Sequence, residues 1–292
     1  MILSSCLAEK KDNLSDQNSV VPPVEPSPPT PTPTPDLVEK INGVTIDSIS
    51  NINDIVTSLK NLSSKPTTRI VFDEFIAAST YKTAVAKIKD VSFVMGEILD
   101  SFYLNQYTVA SYEQRTVEYL NTLGDCVDIW EIGNEINGEW VGTTSEVVQK
   151  MKSAYDQVKL RGKKAALTLY YNEGCWEDPK NEMFTWTANI PDEMVQNLDY
   201  VFVSYYEDDC NDLQPDWPVV FKRLAEKFPK SKIGFGEVGT LNKANKAEFI
   251  NRYYKLKITE PNYVGGYFWW YYKQDMVPMT KSLWTVFNDA TK

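Results

Sequence analysis

The chain of 292 residues contains no histidine. That single absence excludes Ser-His-Asp and Cys-His catalysis, His-liganded metal centres and imidazole acid–base chemistry. Any hydrolytic chemistry must run on carboxylates, tyrosine or lysine. No run of about 18 apolar residues occurs, so no helix is long and apolar enough to cross a membrane. No two cysteines are spaced as CxxC, which removes the common zinc and thioredoxin patterns. Positive charge is also short, with 30 Lys and Arg against 40 Asp and Glu. A net charge of −10 argues against a nucleic-acid partner, whose phosphates demand a basic surface. It fits a protein of the cell envelope or exterior that works on a neutral polymer.

What is present begins with aromatic side chains. Seventeen Tyr, eight Trp and twelve Phe exceed ordinary core needs, and aromatic faces stack well on sugar rings. Of the four cysteines, Cys126 precedes an apolar run and reads as a buried thiol. Cys175 and Cys210 each follow a strand-like run. They are either two free thiols or a disulfide joining loops above adjacent strands.

The chain starts MILSSC, and LSSC resembles the lipobox of bacterial lipoproteins, in which Cys6 would be acylated. The basic region and long apolar stretch of a full signal peptide are missing. Residues 1–6 are therefore read as the remnant of a signal peptide, with Cys6 the lipidation site. Residues 7–36 read as a disordered Pro/Thr-rich linker, VVPPVEPSPPTPTPTP favouring a semi-rigid polyproline II spacer of about 3.1 Å per residue. The expected location is the bacterial envelope or the exterior, with membrane contact only through the lipid anchor.

From about residue 40 short apolar runs alternate with helix-period segments. The strand candidates are VTID (44–47), RIVFDEF (69–75), SFVMGEIL (92–99), VDIWEIGNE (127–135), AALTLYY (165–171), YVFVSYY (200–206), KIGFGEVG (232–239) and VGGYFWWYY (264–272). They are continuously apolar rather than alternating, as strands covered on both faces are. Eight β–α units over residues 37–292 predict an α/β fold, a single (β/α)8 TIM barrel. Ser145 and Asp192 sit near helix starts, Gly124 and Gly162 at helix ends. An open doubly wound sheet is the alternative, but the spacing leaves no obvious edge strand.

Two of these runs end in a glutamate where a strand would open into a loop: WEIGNE with Glu135 and GFGEVG with Glu237. A barrel places its site at the C-terminal ends of the strands, which would bring this remote pair to one mouth. Two facing carboxylates are what glycosidic cleavage needs, one as acid and one as nucleophile or base. Taken alone, an Asn-Glu pair is weak evidence, and Glu135 reads as a helix-capping or salt-bridged carboxylate; the GEVG string three strands later and the aromatic eighth strand favour the catalytic reading. GFGEVG also satisfies the dinucleotide fingerprint G-x-G-x-x-G, but a glutamate inside it would repel the pyrophosphate.

Asn-Glu ending strand 4 with Glu ending strand 7 resembles the signature of the clan A glycoside hydrolases. The resemblance covers residues 37–292. It implies a retaining glycosidase with Glu135 as acid/base, Glu237 as nucleophile and Asn134 on the 2-hydroxyl of the sugar. GYFWWYYK in strand 8 is similar to a cellulase-like pattern and implies Trp270 as an aromatic platform. Many clan members carry His-x-Tyr on strand 6. Here Ser204 takes the histidine position and Tyr206 the tyrosine position, or Tyr205 if the register slips by one. In place of the clan's arginine or histidine on strands 2 and 3 stand Asp73, Glu74 and Glu97, which would bind sugar hydroxyls or pair with lysines. Trp140, just after the acid/base, and Trp176, in the loop NEGCWEDPKNEMFTWT, are further sugar-stacking candidates, whereas Trp130 and Trp284 read as core.

The expected activity is hydrolysis of a carbohydrate, a β-linked polysaccharide or oligosaccharide, by a monomer with no metal and no cofactor. The alternative from another class is a barrel that binds glycan at a cell surface without cleaving it. Long loops after strands 3 and 5 would wall the cleft and decide between endo and exo action.

Overall fold

The computed structural model describes residues 40–292. The expectations for Cys6 and for the linker lie outside the described residues. Eight parallel strands close into a barrel in chain order: β1 Ile41–Ile46, β2 Thr67–Val71, β3 Phe93–Glu97, β4 Ile129–Glu131, β5 Lys164–Tyr170, β6 Tyr200–Tyr205, β7 Lys232–Val238 and β8 Tyr263–Trp269. β1 pairs with both β2 and β8, so no strand is left as an edge. Around them lie α1 Ile52–Lys60, α2 Lys82–Lys89, α3 Val109–Leu123, α4 Thr144–Leu160, α5 Met183–Trp186, α6 Asp192–Asn197, α7 Trp217–Lys227, α8 Lys246–Tyr254, α9 Tyr272–Met276 and α10 Ser282–Ala290.

Every expected strand is found. The differences are at the ends, because apolar character continues past the last ladder hydrogen bond. RIVFDEF leaves the sheet after Val71, so Asp73 and Glu74 sit in a loop. VDIWEIGNE pairs only through Glu131, and Glu135 lies four residues beyond, in a turn. Capping differs in detail too. The hydroxyl of Thr143, not Ser145, accepts from Glu146 N to start α4.

Period-2 alternation sorts the residues of each strand between the barrel interior and the helix layer. On β6, Tyr200 and Phe202 belong to an apolar plug inside the barrel with Met95, Ile129, Ala166 and Phe268. The odd-numbered Val201, Val203 and Tyr205 join the shell between sheet and helices. On β5, Lys164, Ala166, Thr168 and Tyr170 run from the base of the barrel to its mouth on the inward face. Above the plug lies a polar layer, built from Arg69, Glu97, Glu131 and Thr168.

A disulfide joins Cys175 to Cys210, with Cα atoms 5.2 Å apart, and so links the loops after β5 and β6. Cys126 is a buried thiol, and Trp130 and Trp284 are in the core.

Candidate active site

β7 is irregular where it matters. Val203 of β6 pairs with Phe235, but the next residue, Ser204, pairs with Glu237, so β7 carries an extra residue at Gly236. Phe235 packs outward on Trp217 and Phe221. A Cβ on Gly236 would stand 2.7 Å from Phe202 Cβ and 2.9 Å from Thr168, so Gly236 faces the interior. The bulge then lets Glu237 face the interior as well, which strict alternation forbids.

Glu237 is nearly buried and held at both oxygens. Arg69 Nη1 donates to Oε2 at 2.8 Å and Tyr206 Oη to Oε1 at 2.6 Å. Burial pushes its carboxyl above the usual range, while the Arg69 charge and the Tyr206 hydroxyl pull it back. Arg69 arises in the middle of β2, fully buried, and its fork also engages Glu131 through Nε (2.6 Å) and Nη2 (3.2 Å). Thr168 donates to the same Glu131. Such a fork fixes the plane of its partners as well as their charge.

Glu135 sits in a different setting. Its backbone has φ of +44°, a left-handed conformation costly for a side-chain-bearing residue. The turn is held by Gly138 N donating to Glu135 O and by Ile136 N donating to Thr168 O. Among the described residues no cation touches the carboxyl. Ser204 Oγ donates to Oε1 at 2.5 Å and Ser101 Oγ to Oε2 at 3.0 Å, while Trp140 Nε1 donates to Ser101 at 3.0 Å. Burial, then the nearby negative charge of Glu237, push Glu135 up to about 8. Ser204 therefore touches the strand-4 glutamate. Tyr206 touches the strand-7 one.

Glu135, Glu237, Tyr206, Trp140 and Trp270 line one cavity of about 450 Å³ at the C-terminal end of the barrel. The loop after β3 adds Asp100, Ser101 and Phe102, the loop after β6 adds Asp208 and Asp209, and Tyr170 and Tyr271 complete the wall with Leu241. The β5 loop instead borders a second hollow beyond Trp140 with Glu177, Asp178 and Lys180. Asn134 is buried beside Glu135. Its Oδ1 accepts from Ser101 N at 3.1 Å, and its Nδ2 has no hydrogen-bond partner among the described residues.

Four residues read from the sequence as sugar contacts stand elsewhere. Tyr205 points outward on β6, packs on Tyr171 and Trp217 and donates to Leu213 O, because its neighbours Ser204 and Tyr206 take the inward face. Glu97 is fully buried beneath the cavity. Its Oε2 lies 3.1 Å from Arg69 Nη2 but outside hydrogen-bonding geometry, and burial drives it well above the usual carboxylate range. Glu74 lies in the loop after β2, outside the cavity wall, and its neighbour Asp73 accepts from Tyr81 Oη at 2.7 Å. Trp176, 38% exposed beside the disulfide, is also outside that wall.

The reading that β2 offers only acidic residues is corrected by Arg69, which the expected strand included without assigning it a role. The available signal was a cation, and in β4 an anion at Glu131, inside apolar runs that a barrel covers on both faces. Charges there must be paired.

No protein-family model matches the sequence, and no curated protein matches it either. Solved structures do match in shape. A fungal β-1,4-galactanase superposes with a TM-score of 0.59 at 12% identity, over 85% of this chain and 99% of the galactanase. Gas2 of Saccharomyces cerevisiae, which is also known in complex with laminaritriose and laminaritetraose, gives 0.55 at 11% identity over 87% of this chain. This chain spans 64% of that one. A GH1 β-glucosidase from Exiguobacterium antarcticum gives 0.50 at 12% identity over 76% of this chain and 77% of the glucosidase. At these identities the likeness is one of architecture, and the architecture this chain shares with them is the (β/α)8 barrel.

Proposed function

We propose that this protein is a retaining glycoside hydrolase acting on a β-linked glycan, with Glu135 as acid/base and Glu237 as nucleophile. The observation that carries the reading is the unequal setting of two glutamates on one cavity. Glu237 is pinned by a guanidinium and a phenol, whereas Glu135 has only hydroxyl partners and stays protonated near neutral pH. Two carboxyls whose environments drive their proton affinities apart are an acid and a nucleophile waiting for a substrate.

In the first step the Glu237 carboxylate forms a bond to the anomeric carbon, and the bond to the leaving oxygen breaks as Glu135 transfers its proton there. In the second, the Glu135 carboxylate takes a proton from water, whose oxygen displaces Glu237 and regenerates the starting state. Arg69 and Tyr206 orient the attacking carboxylate without leaving it, because both are fixed from below and beside it. Trp270, on the wall next to Glu237 and 5.6 Å from the Arg69 guanidinium, offers a ring face for the sugar being attacked. Asn134 Nδ2 retains an unused donor for a sugar hydroxyl.

The structural neighbours supply the substrates to try first: β-1,4-galactan, β-1,3-gluco-oligosaccharides of the laminari series and simple β-glucosides. The Cys175–Cys210 disulfide supports export, since such bonds persist outside the reducing cytosol. The test is an NMR time course on a cleaved oligosaccharide together with the Glu237→Gln variant. A product that first appears with the β configuration, and loss of cleavage by at least about a thousandfold in the variant, are expected. An α-configured first product, or a variant as active as the parent, would overturn the assignment.

A further inference from the structure

The end of the barrel opposite the two glutamates carries the reverse charge. Inward alternation brings Lys164, the first residue of β5, and Lys232, the first of β7, to the base of the barrel. Lys40 immediately precedes β1, Lys65 stands two residues before β2 and Lys230 two before β7. These five lysines line two adjoining hollows of about 200 and 250 Å³ that share Lys164, Tyr200 and Lys232. Lys40, Lys65, Lys164 and Lys230 are exposed. None of the five makes an ion pair among the described residues. Two rest on aromatic faces instead, Lys65 over Phe93 at 4.5 Å and Lys232 over Tyr200 at 5.8 Å. The acidic residues in these hollows, Asp128 and Asp199, are already bonded to Lys89 and Lys159 from the helix layer and to the amides of Val94 and Ala165.

A protein with a net charge of −10 thus keeps an uncompensated basic base. Its mouth carries Asp100, Asp208 and Asp209 besides Glu135 and Glu237, with no Lys or Arg in the wall among the described residues. We propose that the base of the barrel is a docking surface for an anionic lipid bilayer, which it meets with the cavity facing away. Three observations favour a surface over a linear polymer or a single phosphate. The lysines are distributed around the ring from β1, β2, β5 and β7 rather than along a groove. The acidic mouth is repelled by the same bilayer that attracts the base, so one orientation is selected. Lys40, where the described chain begins, lies on this same face. Docking by lysines does not depend on acylation of Cys6, and it holds whether or not the cavity hydrolyses glycans.

The experiment is sedimentation of the full 292-residue chain, unacylated, with vesicles of phosphatidylglycerol and phosphatidylcholine mixed, and of phosphatidylcholine alone. Binding to the anionic vesicles that weakens steeply between 0.05 and 0.5 M salt, roughly the range over which screening sets in, is expected. Loss of three lysine charges should lower partition by about a hundredfold, at about fivefold per lysine, and their reversal (Lys164→Glu, Lys230→Glu, Lys232→Glu) should lower it further still. The neutral triple variant with Gln at these positions should fall between, and an unchanged thermal midpoint for it guards against misfolding. Equal binding to neutral vesicles, or triple variants that bind like the parent, would overturn the proposal. So would displacement by glycerol phosphate at concentrations too low to change the ionic strength, which would point to a pocket for a single phosphate.

Discussion

At the scale of single residues, the pair Glu135 and Glu237 makes a pH profile that can be read from its contacts. In the proposed mechanism Glu237 acts ionised, so kcat/KM should fall on the acid side as that carboxyl takes up a proton. In the same mechanism Glu135 acts protonated, so kcat/KM should fall on the alkaline side near its value of about 8. Ser204 donates to the ionised form of Glu135 and therefore lowers its proton affinity. Ser204→Ala should move the alkaline limb up by about one pH unit, the worth of a hydrogen bond to a charged group, and leave the acid limb in place. A stopped-assay profile on the parent and the variant checks this, and a shifted acid limb would mean that the two roles are exchanged. The same proton has a cost in stability. Glu135 ionises near 4.5 when unfolded and near 8 when folded, so folding takes up a proton between those values. The native state loses stability as pH rises through that window. Glu135→Gln removes this loss, and because the carboxyl faces a cavity rather than a dry core the gain at pH 7 should be about 2 kcal/mol. Denaturant melts at pH 4 and pH 7 decide it: the gain must be present at pH 7 and nearly absent at pH 4. A variant that gains equally at both would place the effect in packing.

At the scale of elements, the strands were legible because a barrel buries both faces of each, and the runs from 69, 92, 165, 200 and 232 carry that signature plainly. What the sequence hid was which residue of a strand faces inward. Tyr205 and Tyr206 are equivalent in composition, and only the ladder shows that Tyr206 shares the inward side with Ser204. Glu237 was legible as a strand-end glutamate, yet its inward aim depends on the extra residue at Gly236, which no periodicity announces. Arg69 was concealed for the opposite reason: it sits within a good strand, and its three carboxylate neighbours come from β3, β4 and β7, between 28 and 168 positions away (97 − 69, 237 − 69). The bulge gives a test of this account. A methyl group at Gly236 would meet Phe202 Cβ at 2.7 Å, backbone-anchored and unable to swing aside. Gly236→Ala should therefore cost about 1–3 kcal/mol through overpacking and should reduce kcat more than it raises KM, because it displaces the carboxyl proposed to attack the anomeric carbon. Thermal melts with steady-state kinetics measure both. A destabilised variant with full kcat would show that Glu237 is positioned by Arg69 and Tyr206 alone.

At the scale of the whole molecule, the barrel separates charge along its axis, and the mouth end bears directly on substrate choice. Asp100 accepts from Phe102 N, and Asp208 accepts from Thr240 Oγ1 and Leu241 N, so both carboxyls are fixed at the wall rather than free to swing out. Burial raises Asp209, with the charge of Asp208 adding to the shift, as expected where negative groups crowd a concave surface. A glycan bearing uronates would bring more negative charge against a wall whose lining, among the described residues, includes carboxylates and no Lys or Arg, whereas a neutral glycan meets polar groups suited to hydroxyls. Neutral β-glycans should be cleaved at least about tenfold faster, in kcat/KM, than uronate-containing chains of the same linkage at low salt. Asp208→Asn should narrow that gap, and 0.5 M salt should narrow it too, because screening acts on the exposed part of the repulsion. Competition between a neutral oligosaccharide and its oxidised counterpart at two salt concentrations makes the measurement. If the discrimination survives both the substitution and the salt, it arises from the shape of the wall around Trp140 and Trp270 and not from its charge.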